Sequence, residues 1–316
     1  MSVGRTCGLM AALLLATPAA AQTPEPVVSP GQAAVLTELQ LADGSVLYGY
    51  VVRDAPDRIV FRTLTGTELE LARADISELR PARGRIVDGR FQPYDSNTTR
   101  MLFAPTARSL PKGQGYVGVY ELLLPFVQVG VTDRFSMGAG TPLLFVGDES
   151  GRPVWLTPKY QFYDGASTSA AAGVLHFAGV GSDSQVGIAY AVATRGGPDG
   201  ALTLGGGWAY ARYTDEQYPA RCVTPRPPPM LPSPCDPIEL KEREGSPVVM
   251  LGGERRLSEG IKIVTENYAF QGGGLVAVGF RFLGDRLSAD LGVFAPLGTE
   301  DVFVGPIVNF TWRFGS

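Results

Sequence analysis

The chain is poor in histidine, in cysteine and in long apolar runs, and each shortage excludes something. One histidine in 316 residues cannot furnish a zinc site when the available cysteines are taken up in a disulfide, and it leaves His176 as the lone histidine base on offer. Of three cysteines, Cys7 falls in the first twenty residues, which leaves Cys222 and Cys235. After that N-terminal region no segment approaches the roughly 18 to 20 continuous apolar residues of a membrane-spanning helix. Charge is scarce too: the formal net value is −4, and no dense Lys/Arg cluster supplies a nucleic-acid footprint, so no nucleic-acid partner is expected. The "GGPDG" and "GGG" stretches lack the lysine and the strand-to-helix context of a phosphate cradle, and no cofactor is expected.

What is abundant is glycine, 40 residues, with 12 tyrosines and 15 phenylalanines, a composition suited to short strands joined by turns. The chain opens with Arg5, an apolar run through Leu9, Met10, Leu13, Leu14 and Leu15, and then Ala19-Ala20-Ala21 before Gln22. This is the charge, core and small-residue order of a secretory signal, and it predicts a signal peptide over 1–21. Residues 22–34, rich in Pro and small side chains, read as a flexible leader. Export makes a Cys222 to Cys235 disulfide the default, stapling a proline-rich surface loop that cannot join a ladder. An exported chain with no spanning helix enters a membrane as a β-barrel or not at all.

Residues 35–80 read as a small β-barrel module of five short strands. Asp43-Gly44 and Thr65-Gly66 supply turns between alternating runs. The stretches "LADGSVLYGYV", "RIVFRT" and "TGTELELARADISEL" resemble the Sm-like and SH3-like folds, which implies a packing or docking module, with a periplasmic protein partner as the expected occupant. Residues 81–97 read as a polar linker.

Residues 98–316 read as an antiparallel transmembrane β-barrel of about twelve strands: Thr99–Ala107, Gly115–Val131, Phe135–Thr141, Val154–Tyr163, Ser169–Ala178, Gln185–Thr194, Ala201–Tyr213, Pro247–Glu254, Ile261–Phe270, Gly274–Phe282, Leu287–Phe294 and Asp301–Phe314. The second is long for one span and holds Pro125, which predicts a bulge or break. Several runs sort by parity. Val154, Leu156, Tyr160 and Phe162 oppose Trp155, Thr157, Lys159 and Gln161, and in the last strand Val304, Pro306, Val308, Phe310, Trp312 and Phe314 oppose Gly305, Asn309, Thr311 and Arg313, with Phe303 and Ile307 as exceptions. An apolar exterior over a polar interior is what lipid around a barrel requires. In Ile261–Phe270 the inward face stays undecided, because Lys262 and Glu266 share parity with Val264 and Tyr268.

With both termini on one side, links at 132–134, 164–168, 195–200, 255–260 and 283–286 are expected in the periplasm. Those at 110–114, 142–153, 179–184, 214–246, 271–273 and 295–300 are expected outside. The segments "GVTDRFSMGAG", "TRMLFAPTARSLPKGQGY" and "GGERRLSEGIKIVTENYAF" resemble a family of uncharacterised bacterial outer-membrane proteins over roughly Asn97 to Phe314. The resemblance implies fold and address, with outer-membrane lipid, lipopolysaccharide and the barrel-assembly machinery as partners, but no catalytic residue. The closing Phe314-Gly315-Ser316 departs from assembly signals that finish on the aromatic itself.

The expected lumen-lining residues are Lys159, His176, Glu254, Glu266, Arg281, Asp290 and Arg313. Mixed charge inside a narrow barrel either braces the wall or lines a selective aqueous path. A narrow channel or an envelope scaffold is therefore the expected role, and no enzyme activity is expected. The alternatives are a lipid-modifying enzyme using His176, with Ser136 or Ser288 as its nucleophile, and adhesion or partner docking through the outer loops. Asp148-Glu149 reads as solvated loop charge, and no metal site is expected.

Overall fold

The computed structural model describes residues 35–144, 153–179, 185–217, 238–298 and 303–315. The signal and leader segments, Asp148-Glu149 and the Cys222 to Cys235 loop lie outside the described residues.

The N-terminal strands are β1 (Thr37–Leu41), β2 (Val46–Asp54), β3 (Arg58–Thr63), β4 (Glu68–Ala72) and β5 (Ile76–Pro81). They pair in the order β4-β3-β2-β1-β5. Leu39, Ile59 and Phe61 are fully buried and form its core with Leu47, Val51 and Ile76. The expected turn at Asp43-Gly44 forms, with Gly44 at φ +88° and the Asp43 carboxylate accepting the Ser45 N–H at 2.8 Å. β4 and β5, joined by a single 3₁₀ turn at Arg73–Asp75, stand at the two ends of that order, with no ladder between them among the described residues. The five short strands expected over residues 35–80 are thus present as one five-strand sheet.

Residues 81–97 are more than a connector. They hold a hairpin, β6 (Gly84–Val87) and β7 (Arg90–Pro93), turned by Asp88 and Gly89, both at positive φ. Phe91 on β7 stacks on Tyr48 of β2 at 3.8 Å between ring centroids.

The large sheet contains β8 (Gly115–Tyr120), β9 (Leu124–Gly130), β10 (Phe135–Gly140), β11 (Val154–Leu156), β12 (Lys159–Asp164), β13 (Thr168–Ala178), β14 (Gln185–Gly197), β15 (Gly200–Gln217), β16 (Ile238–Ser258), β17 (Ile261–Phe270), β18 (Gly273–Leu283), β19 (Leu287–Leu297) and β20 (Gly305–Phe314). Each pairs antiparallel with its neighbour, and β20 returns to β8, from Phe314 opposite Gly115 to Asn309 opposite Tyr120. β11 and β12 occupy one place in the wall, since both lie between β10 and β13; Pro158, which has no N–H to donate, separates them. The ring is a closed twelve-strand barrel.

The expected strand number holds for a different set of strands. Gly115–Val131 is two strands, β8 and β9, and Thr99–Ala107 belongs to no wall. The link 110–114, expected on the outer side, lies instead at the end where β20 finishes. Gly113 N–H donates to the Gly130 carbonyl at 2.9 Å, and Lys112 N–H to the Asp133 carboxylate at 2.9 Å. We call this the near end.

The parity of the wall follows the amphipathic reading. Phe162, Leu204, Phe280, Leu291, Val293 and Trp312 are exposed on the outside, while Gln161, Thr203, Arg281, Asp290, Asn309 and Thr311 are buried within. β17 resolves the undecided case, because Lys262, Val264 and Glu266 are all fully buried and point inward.

The near end also carries the N-terminal elements. Arg80 pairs with Glu38 at 2.6 Å and with Asp285 of the β18–β19 turn at 3.0 Å. Arg85 pairs with Asp199 of the β14–β15 turn, which also takes Arg256 at 2.8 Å. Arg90 reaches Glu259 of the β16–β17 turn at 2.9 Å, and Arg83 donates to the Gly315 carbonyl.

Candidate functional site

The site is the interior of the barrel, and its main occupant is the chain itself. Beyond β7 the backbone enters the lumen, where Asp95, Ser96, Asn97, Thr99, Arg100, Met101, Leu102, Ala104, Thr106, Ala107 and Leu110 are all buried. Two backbone bonds fold this segment into a hook: Met101 N–H to the Ala104 carbonyl at 2.8 Å, and Thr106 N–H to the Thr99 carbonyl at 3.0 Å. The apolar tip of the hook, Met101, Leu102 and Ala104, packs against inward-facing Val192, Met250, Val264, Ala277 and Ile307. Ile307, the exception to the parity of the last strand, is thus a plug contact.

The inward charges seize the hook at its backbone. Lys159 Nζ donates to the carbonyls of Thr99, Thr106 and Arg108 at 3.0, 3.0 and 2.7 Å, which uses all three of its protons. Glu266 accepts from Phe103 N–H at 2.9 Å, Ala104 N–H at 3.0 Å and the Tyr268 hydroxyl at 2.6 Å. Arg281 holds Asp290 through Nε at 2.6 Å and Nη2 at 3.2 Å. It also donates to the carbonyls of Asn97 and Met101 at 3.1 and 2.5 Å.

Asp95 sits between Lys262 at 2.8 Å and Arg281 at 3.3 Å, two cations that face each other in the β17–β18 register. Lys262 also reaches Glu254 at 3.2 Å, whose other oxygen takes Arg108 at 2.5 Å. Buried charges survive only when paired and hydrogen-bonded, and here the partners come from the plug as often as from the wall. The lumen candidates Lys159, Glu254, Glu266, Arg281 and Asp290 are therefore brought together around the plug. Arg313 lies apart at the near end, half-buried, donating to the Gln114 side-chain oxygen.

His176 is not in the lumen. On β13 the inward residues are Ser169, Ala171, Leu175 and Phe177, and His176 has the opposite parity. Its Nδ1 lies 2.7 Å from the Tyr210 hydroxyl, across Gly187, which is paired with both. Ser136 and Ser288 are buried on inward faces, so the wall separates the histidine from either serine. Among the described residues no group of three or more His, Cys, Asp or Glu side chains gathers as for a metal ion.

Toward the far end an apolar cavity of about 360 Å³ remains between plug and wall. Phe126, Trp155, Leu175, Phe177 and Tyr190 line it from the wall, and Thr99, Arg100, Phe103 and Pro105 line it from the plug. The sequence reading missed both the plug and this cavity. The signal for them was the set of apolar residues on inward parity, Trp155, Leu175, Phe177, Val264 and Ile307, which a water-filled lumen does not call for.

No protein family and no curated protein sequence matches the chain. Among solved structures it is similar to the KdgM porin in complex with disordered oligogalacturonate, at 8% identity and a TM-score of 0.41, over 64% of this chain and 98% of that one. It is similar to the NanC porin at 8% identity and 0.40, over 64% and 99%. The OmpF porin of Salmonella typhi follows at 10% identity and 0.31, over 89% and 96%. Likeness this low carries no functional weight, and the twelve-strand ring rests on its own pairings.

Proposed function

We propose that the chain is an outer-membrane β-barrel whose lumen is closed by its own segment Asp95–Leu110, and that it acts as an envelope scaffold holding the N-terminal sheet at the periplasmic face. The observation that carries this reading is the plug. An open channel needs a continuous water path, and here Lys159, Glu266 and Arg281, which would line one, spend their hydrogen bonds on plug backbone. The membrane address is supported by the apolar outward face, the polar inward face and closure without a free edge. The periplasmic placement is supported by the near end, where the N-terminal sheet and the last strand meet and the wall turns are short. An Sm-like or SH3-like kinship of the sheet belongs to this proposal and is supported by its five-strand pairing.

The test is single-channel recording of the refolded chain in planar bilayers, with heat-modifiable gel migration as the check of folding. The wild type is expected to be silent, and a variant with residues 98–108 replaced by a Gly/Ser linker is expected to show steps. Equal steps from both proteins would sink the closed-lumen reading. They would establish a narrow channel instead.

A further inference from the structure

The far cavity has the composition of a ligand site. Its volume of about 360 Å³ falls within the roughly 300–1,000 Å³ of small-molecule pockets. Glycine in the wall makes room for its rings: a Cβ at Gly140 would collide with the Trp155 ring, and one at Gly118 with the Phe126 ring. Most of the lining is apolar, and its two charged residues share a sign.

Lys159 lines the cavity, and its three bonds all go to neutral carbonyls, with no carboxylate paired to it among the described residues. Arg100 lines it too and is 3% exposed. Its Nη atoms are used on the Leu102 carbonyl, on Asp290 at 3.5 Å and on the Thr311 hydroxyl at 2.7 Å. Its Nε is buried and has no hydrogen-bond partner among the described residues. The guanidinium lies over the rings of Tyr120, at 4.7 Å, and Phe126, at 5.4 Å, both of which face the cavity. A buried N–H without an acceptor is costly, and a ligand oxygen that reached it would remove the cost.

We propose that this cavity binds a single-chain carboxylate amphiphile, with its tail among Phe126, Trp155 and Phe177 and its carboxylate on Arg100. The volume suits one chain rather than the two of a phospholipid; the lining holds two cationic side chains and no carboxylate, the Asp290 that Arg100 meets is outside that lining, and the donor left open is Arg100 Nε. The cavity extends to Pro142 and Pro153, at the two ends of the β10–β11 connection on the far side of the barrel. This site goes beyond the scaffold reading but rests on the same plug, which supplies Arg100, Phe103 and Pro105 to its lining.

Trp155 makes the test direct. A decanoate brominated at its terminal carbon, titrated against the full-length protein in phosphatidylcholine vesicles, is expected to quench Trp155 saturably. The Trp155→Phe variant is expected to lose that saturable component. Competition by unlabelled carboxylates is expected to strengthen about fourfold per methylene from hexanoate to decanoate. Decanol is expected to compete at least about tenfold more weakly than decanoate. Arg100→Gln should erase the advantage of the acid over the alcohol. Leu175→Phe, which narrows the cavity and leaves Arg100 intact, should weaken both, and keeps the proposal testable if Arg100→Gln fails to show heat-modifiable migration. Quenching that never saturates and survives unchanged in Trp155→Phe would mean partition into the bilayer only, and would overturn the site. Equal competition by decanol and decanoate, or tighter binding of decyltrimethylammonium, would overturn the anionic specificity.

Discussion

Asp95 carries two cations, Lys262 and Arg281, that face each other across β17 and β18. Removing it leaves both buried in a repulsive pair, and truncating one partner of a buried ion network costs about 3–5 kcal/mol. Asp95→Ala is therefore expected to lower the midpoint of urea unfolding in detergent by an amount in that range, whereas a surface exchange such as Asp57→Ala should stay within about 0.5 kcal/mol. Single residues were legible in the sequence where polarity and parity agreed, as for Lys159, Arg281 and Asp290. His176 was misplaced because β13 carries small or apolar side chains on both faces, and the cavity inverts the usual rule there by putting Leu175 and Phe177 inside. The same inversion left Lys262 and Glu266 undecided beside Val264.

Among the elements, the β8–β9 hairpin shows why strand boundaries failed. Its turn places Glu121 at φ 49° and Leu122 at φ 61°, a conformation that normally draws Asn, Asp or Gly. With none of these at the turn, Gly115–Val131 reads as one run. The hook at 99–107 failed in the other direction, since alternating apolar residues look alike whether a strand faces lipid or a loop fills a lumen. The β6–β7 hairpin carries a pH dependence. Burial pushes the Asp199 carboxyl up, but hydrogen bonds from Arg85 and Arg256 outweigh it and hold the group below the ordinary 3.8. A depressed carboxyl contributes its stabilisation above the unfolded value and loses it as pH falls. Amide exchange in β6–β7, taken relative to its intrinsic rate at each pH, is thus expected to accelerate on acidification below about pH 4. In Asp199→Asn it should already be fast at neutral pH, and an unaltered exchange rate in that variant would remove Asp199 from the docking contact.

For the whole molecule, the three tryptophans divide by face. Trp208 and Trp312 are 54% and 48% exposed on the outside, while Trp155 is 6% exposed within. If lipid surrounds the barrel, brominated phosphatidylcholine should quench Trp208 and Trp312 and spare Trp155, as single-tryptophan variants would show. Quenching of Trp155 by the lipid itself, or none at Trp208 and Trp312, would contradict the membrane reading.

The sequence by itself determined the class of this molecule, because the alternation of apolar and polar residues along a strand dictates two faces, and turn residues dictate hairpins. Those are local properties, set by a side-chain period of two and by backbone φ. Which segment fills the lumen was decided only by the tertiary structure. Nothing local distinguishes residues 99–107 from a wall strand; the difference lies in Lys159, Glu266 and Arg281, distant in sequence, meeting that backbone once the ring has closed.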